Sequence, residues 1–149
     1  AAALGGANHS TPLFSSSGTN LSPDALATFE QPAGTPWLLV PGPSSIGAFK
    51  VVDEGGKTIL QRGWTSRDLA VPTAAIVVND VVFAASSGRP QGSAVLYAFD
   101  SRSGRELWNS GKTMTSYVPP GNLWASNSQV HVATHDGTVY AFGFVLERR

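Results

Sequence analysis

The chain has no cysteine among its 149 residues. Disulfides, thiol nucleophiles and thiolate metal sites are therefore excluded. Charge is sparse as well: Asp, Glu, Lys and Arg make up 13% of the sequence, with net charge zero at pH 7. Typical domains carry about 25%. Basic residues cluster only at Arg148-Arg149, which gives nucleic acid no footprint. No apolar run approaches the ~18 residues that would span a membrane, and no amphipathic helix is available to lie on one. Several catalytic signatures are also missing: no Gly-x-Ser-x-Gly elbow, no phosphate loop and no zinc-protease helix. The acidic residues fall mostly in expected turns, so they form no glycosidase carboxylate pair. Nothing in the spacing points to a Ser-His-Asp triad.

What remains is rich in glycine, serine, threonine and proline, with four tryptophans. Short apolar runs bounded by turn residues recur along the chain, and they read as β-strands. The middle of the sequence is the clearest case. Strands are expected at Ala74 to Val78, Val81 to Ala85, Val95 to Phe99 and Arg105 to Asn109. Asn79-Asp80 marks a two-residue turn, and Ser86 to Ser93 a loop. A rougher set precedes it, at Leu26 to Phe29, Trp37 to Val40, Ala48 to Val52 and Lys57 to Gln61. A third set follows, at Leu123 to Ala125, Val130 to Thr134 and Thr138 to Phe144, with His135-Asp136-Gly137 as its last turn and no fourth strand after it.

The most informative stretch is Ala98 to Trp108, of the form Ala-x-Asp-x-x-Ser-Gly-x-x-x-Trp. Asp100 can accept hydrogen bonds from the turn backbone. Gly104 can take the positive φ that closes a hairpin loop. Trp108 offers a large flat face to cover a neighbouring repeat. An offset of 48 residues lays Phe49-Lys50-Val51-Val52 on Tyr97-Ala98-Phe99-Asp100, with Gly56 on Gly104 and Leu60 on Trp108. An offset of 43 lays Tyr140-Ala141-Phe142-Gly143 on the same four residues. A period between about 40 and 50 residues suits a propeller blade of four short strands.

This motif resembles the tryptophan-docking motif of the quinoprotein-type β-propellers, the repeats named after pyrroloquinoline quinone (PQQ). The resemblance runs from Leu26 to Leu146. It implies an all-β chain of about three four-stranded blades, taken from the C-terminal part of an eight-bladed bacterial, secreted propeller. The last blade lacks its outer strand, and an N-terminal strand of a longer chain is the usual donor. The expected division is residues 1–24 as a loop or inter-blade crossing, 25–62 as a degenerate blade, 63–111 as an intact blade with the docking motif, and 112–149 as a partial terminal blade. Ala98, Asp100, Gly104 and Trp108 are the expected structural docking residues. About three blades cannot close a ring and would leave apolar faces open. The expected partner is therefore another chain or the missing N-terminal blades. The start Ala1-Ala2-Ala3, without methionine, is read as a processed product or a fragment. Composition suits a periplasmic or extracellular compartment.

The resemblance implies two functions. The first is a non-catalytic scaffold or a ligand- or protein-binding module, with no catalytic residue, no metal and no cofactor in this chain alone. The alternative is part of a periplasmic alcohol or sugar dehydrogenase dependent on PQQ and calcium, in which the cofactor does the redox chemistry. The residues expected to reach the axial channel are Arg67, Asp68, Asn122 and Trp124. Trp124 could stack on a planar ring. The plainer reading has Trp124 between blades and Arg67-Asp68 as an ion pair. His131 and His135 lie four apart, but along a strand that is about 13 Å, too far for one ion. His9 has no local partner in the sequence. Asn8-His9-Ser10 and Asn20-Leu21-Ser22 fit the glycosylation acceptor pattern, a triplet that arises often by chance in Ser/Thr-rich sequence. Trp37 reads as core and Trp64 as a displaced docking residue. The WD-repeat signature is absent. A β-sandwich is the main alternative fold.

Overall fold

Strict alternation over four to nine residues, broken by glycine or asparagine pairs, leaves this chain one way to bury its apolar side chains: as strands with one or both faces covered. The computed structural model describes residues 26–32 and 34–143. Expectations placed on residues 1–24, including His9 and both Asn-x-Ser triplets, and on residues beyond 143, lie outside that range.

Among the described residues, eleven strands make three antiparallel sheets. The first contains β1 (Ala27–Glu30), β2 (Pro36–Pro41), β3 (Ile46–Glu54) and β4 (Lys57–Thr65) in that order. The second contains β5 (Ile76–Val78), β6 (Val81–Ser86), β7 (Val95–Asp100) and β8 (Glu106–Asn109). The third contains β9 (Leu123–Ser126), β10 (Gln129–Ala133) and β11 (Val139–Gly143). The described residues contain no helix and no closed barrel. β1 lies against β5, and β5 against β9, so the first strands of the three sheets run side by side.

Each sheet is a plain meander because its turns demand nothing longer. Asn79 and Asp80 have φ of 48° and 61°, and Gly55 and Gly56 have 62° and 79°. Both pairs satisfy the two positive angles of a type I′ hairpin. Asn127 and Ser128, at 49° and 61°, do the same between β9 and β10.

The sheets stack face to face in one sense. Leu39, Ile46 and Ala48 of the first sheet pack on Val82, Ala84 and Phe99 of the second. Ala85 and Leu96, on the opposite face of the second sheet, pack on Val130 and Val132 of the third, with Met114 and Val118 closing the layer. The second sheet is thus covered on both sides. That is why β6 reads as an unbroken apolar run, Val81 to Ala85, rather than as an alternating one. Each fully buried side chain of this kind contributes roughly 1.5–3 kcal/mol.

The repeats are in a register different from the one the sequence suggests. Ala48 faces Trp64 across β3 and β4, and Ala98 faces Trp108 across β7 and β8. Both pairs sit beside a bulge, between Ala48 and Phe49 and between Ala98 and Phe99. Ala48 therefore corresponds to Ala98, and Trp64, not Leu60, corresponds to Trp108. Leu60 pairs with Val51, farther along the hairpin. The offset of 48 is wrong by two on β3 and by four on β4, because the first hairpin is longer, remaining paired out to Glu54 and Lys57 before it turns. Gly56 belongs to that type I′ turn and has no equivalence to Gly104. β4 also continues past residue 62 to Thr65, so the expected boundary at 62/63 cuts a strand.

The β7–β8 turn is built as its residues suggest. Asp100 Oδ1 accepts hydrogen bonds from the Ser103 hydroxyl at 2.7 Å, the Ser103 amide at 2.9 Å and the Arg102 amide at 3.1 Å. These bonds, the Ser103 hydroxyl first, hold the carboxyl below its ordinary pKa. Folded-state pKa below unfolded pKa means the turn contributes stability above the ordinary carboxylate range and loses it as pH falls through that range. Asp100→Asn should lower the thermal midpoint at neutral pH, and the gap to the parent protein should shrink as pH drops below about 4. A gap that stays constant across a pH series of melting curves would show that the ionised carboxylate does not hold this turn.

Candidate functional site

The end of β4 meets the β7–β8 hairpin in a closely fitted junction. Trp64 is only 8% exposed, and its Nε1–H donates to the Ser101 carbonyl at 2.8 Å. Its indole lies on Gly104. A Cβ built on that glycine would sit 2.4 Å from Trp64 Cε3, and the glycine φ is 70°. Two demands, a left-handed backbone and room for a ring, meet on one residue, and only glycine satisfies both. Three residues beyond Trp64, Arg67 reaches over the same hairpin. Its Nη1 is 2.7 Å from Glu106 Oε2, and its guanidinium stands 5.4 Å from the Tyr97 ring centre. Glu106 also accepts from Asn109 Nδ2 at 2.6 Å. The Arg67 contact and then the Asn109 bond lower the Glu106 pKa, and Glu106 in turn raises that of Arg67.

Gly104 takes a positive φ and Asp100 accepts bonds from the turn backbone, whereas Trp108 is not enclosed. It is 43% exposed, where full burial between units was expected. Among the described residues its ring neighbour is Phe142 of β11, at 5.5 Å and 60°. The fully docked ring is Trp64, in the unit that looked degenerate. Its signal in the sequence is the spacing Gly63-Trp64 after an apolar strand, obscured by the longer hairpin. Ala98, opposite Trp108, is buried.

The four axial candidates do not share partners. Arg67 is engaged with Glu106 and Tyr97 of the second sheet, so its ion pair is with Glu106 rather than Asp68. Asp68 is exposed. Asn122 accepts the Ala133 amide through its carbonyl at 3.1 Å and is half-buried. Trp124 is 41% exposed and stacks on His131, at 5.5 Å and 13°, across β9 and β10. Ser126 Oγ lies 3.3 Å from His131 Nε2. His135 stacks on Tyr117 at 4.4 Å instead, so the two histidines belong to different clusters. Trp37 is core, stacked on Phe29 at 5.9 Å.

The outward side of the third sheet has no cover among the described residues. It carries Trp124, His131 and Ala141 in one cross-strand row, with Val139, 60% exposed, beside Ala133. The outer edge of β11 pairs with no strand among the described residues. In the other two sheets that edge position is filled by β4 and β8.

No family model and no curated protein matches this chain. Among solved structures, the crystal structure of the computationally designed Ika4 protein is similar to it, with 14% identity and a TM-score of 0.47 over 91% of this chain and 99% of that one.

Removing the two tryptophans should have unequal consequences. Trp64→Ala should cost about 3–5 kcal/mol, as for a buried aromatic in a core. Trp108→Ala should cost about 1 kcal/mol, an ordinary value for a half-exposed side chain. Equilibrium denaturation of both variants checks this, and the reverse order would disprove the assignment of Trp64 as the docked ring.

Proposed function

We propose that this chain supplies three successive blades of a quinoprotein-like β-propeller and works as a non-catalytic scaffold. The faces left open and the β11 edge left unpaired among the described residues join further sheets, from another chain or from the rest of a longer one. The observation that carries this reading is the one-way stacking of the sheets. One face type of each sheet meets the other face type of the next, so the arrangement does not terminate itself. The side-by-side first strands and the repeated Ala-Trp pairing next to a bulge support the same reading.

The dehydrogenase alternative draws less support. Arg67 is committed to Glu106, and of the four axial candidates only Trp124 offers an accessible ring. The cysteine-free, low-charge composition favours the periplasmic or extracellular setting proposed for the scaffold.

Native mass spectrometry of the protein isolated from its own source, without denaturant, tests the reading. The expected result is an assembly, or a longer chain, in which additional sheets cover the third sheet. A lone, stably folded monomer of this length would overturn the scaffold reading and favour a self-contained sandwich. A retained non-covalent quinone would move the assignment to the dehydrogenase.

A further inference from the structure

Between the second and third sheets the loops leave a cleft of about 300 Å³. Its walls come from three places: Val71 to Ala74 leading into β5, Ser87 and Arg89 just after β6, and Val118, Pro120 and Gly121 ahead of β9. The cleft is held in shape from behind. The Val118 amide donates to the Ser87 carbonyl at 2.8 Å, tying one wall to the other. The Thr73 amide donates to Ala85 O at 2.8 Å, and the Ala85 amide returns a bond to Thr73 Oγ1 at 2.9 Å. The Ser87 amide is shared between the carbonyls of Ala70 and Val71. That bond helps hold Val71 at a φ of 49°, a left-handed angle a β-branched residue seldom adopts. A cavity whose walls are already ordered loses little entropy when it is filled.

The chemistry of the lining is narrow. Val71, Pro72 and Pro120 supply its accessible apolar side chains, above the buried Val118. Arg89 is its only charged group, is exposed, and has no salt bridge among the described residues, where the one such pair is Arg67 with Glu106. Ser87 is buried, and its hydroxyl accepts the Arg89 amide at 3.3 Å while its own proton has no acceptor among the described residues. Thr73 spends its hydroxyl proton on Ala74 O. The side-chain donors left over are thus the exposed Arg89 guanidinium and the Ser87 hydroxyl, beside apolar side chains. A phosphate dianion would be left partly uncompensated there. A neutral apolar ligand would make no use of the guanidinium. A single carboxylate with a short aliphatic body uses both donors and the wall, and the volume sits at the lower limit of small-molecule sites.

We propose that this cleft is a binding site for a small aliphatic monocarboxylate, with Arg89 and Ser87 receiving the carboxylate and Val71, Pro72 and Pro120 receiving the tail. The same chemistry occurs in a free branched-chain acid and at the C-terminus of a peptide ending in valine. The proposal does not depend on the propeller reading, because the cleft is complete within two adjacent sheets of this chain.

Backbone amide shifts of the full chain provide the test, with isovalerate, its neutral analogue isovaleramide, and acetyl-Gly-Val with a free or an amidated C-terminus as probes. Isovalerate should shift Thr73, Ser87 and Val118 saturably, with isovaleramide at least about tenfold weaker, the scale of a charge-assisted hydrogen bond. Arg89→Gln should weaken the acid about tenfold and leave the amide unchanged, while Arg89→Lys restores part of the difference. Because Arg89 is exposed, resonances remote from the cleft should be unmoved in both variants, which confirms the fold. Tighter binding of the acidic peptide than of isovalerate assigns the source as a chain terminus, and the reverse assigns a free acid. Equal binding of acid and amide, full affinity in Arg89→Gln, or no saturable shift at the cleft with either acid would overturn the proposal.

Discussion

Two flat sheets can approach only as closely as the bulkiest residue at their contact allows, so a close joint needs a site where one side contributes almost nothing. In this molecule that site is Gly104. The indole of Trp64 occupies the space a side chain would take, and its N–H finds the Ser101 carbonyl at 2.8 Å. A large apolar surface is buried and its one polar atom satisfied by a single rigid side chain, at little conformational cost. Arg67 then clamps the rim of the same contact through Glu106. The spacing between the first and second sheets follows from this geometry, and with it the alignment of Leu39 and Ile46 over Val82 and Phe99.

The stack is polar in the geometric sense, each sheet presenting one kind of face forward and another back. Residue types follow that order. Ile76, Phe83 and Leu96, on the covered face of the second sheet, correspond by strand register to Trp124, His131 and Val139 on the third. The third sheet therefore keeps large side chains where the second has them, but two of the three now carry a ring nitrogen. A surface of that character suits a contact that is broad and partly polar. Trp108 shows the same half-finished state from the other side. It stands where Trp64 stands, but leans on Phe142 rather than on a glycine turn.

How much of this could be read in the sequence depends on the element. Strands announced by alternation and bounded by Asn-Asp or Gly-Gly pairs were legible, because a type I′ turn and a period of two leave few alternatives. All four strands around Ala98 fall where the sequence places them, to within a residue or two. The middle turn was legible in detail, since Asp100, Ser103 and Gly104 each do a local job. Trp64 was only half legible. Its role depends on pairing with Ala48 sixteen residues away, against ten for Ala98 and Trp108, and hairpin length is not written in any one residue. Matching Gly56 to Gly104 equated two turns of different construction. Because the resulting slip was even, two residues on β3 and four on β4, it left every side chain on its correct face, which is why the strand pattern survived the error. The partnership of Arg67 with Glu106 was not legible, since it joins two sheets with no local signal.

The central claim is that Trp64 and Gly104 together set the distance between the sheets, and a double-mutant cycle tests it most directly. Gly104→Ala should destabilise the parent protein in two ways, through its positive φ and through collision with the indole. In a Trp64→Ala background the collision is gone, and only the backbone strain should remain, about 1 kcal/mol. A cost for Gly104→Ala that drops clearly between the two backgrounds in equilibrium denaturation is the predicted result. An equal cost in both would mean that the ring and the glycine act independently, and the sheets would then owe their spacing to something else.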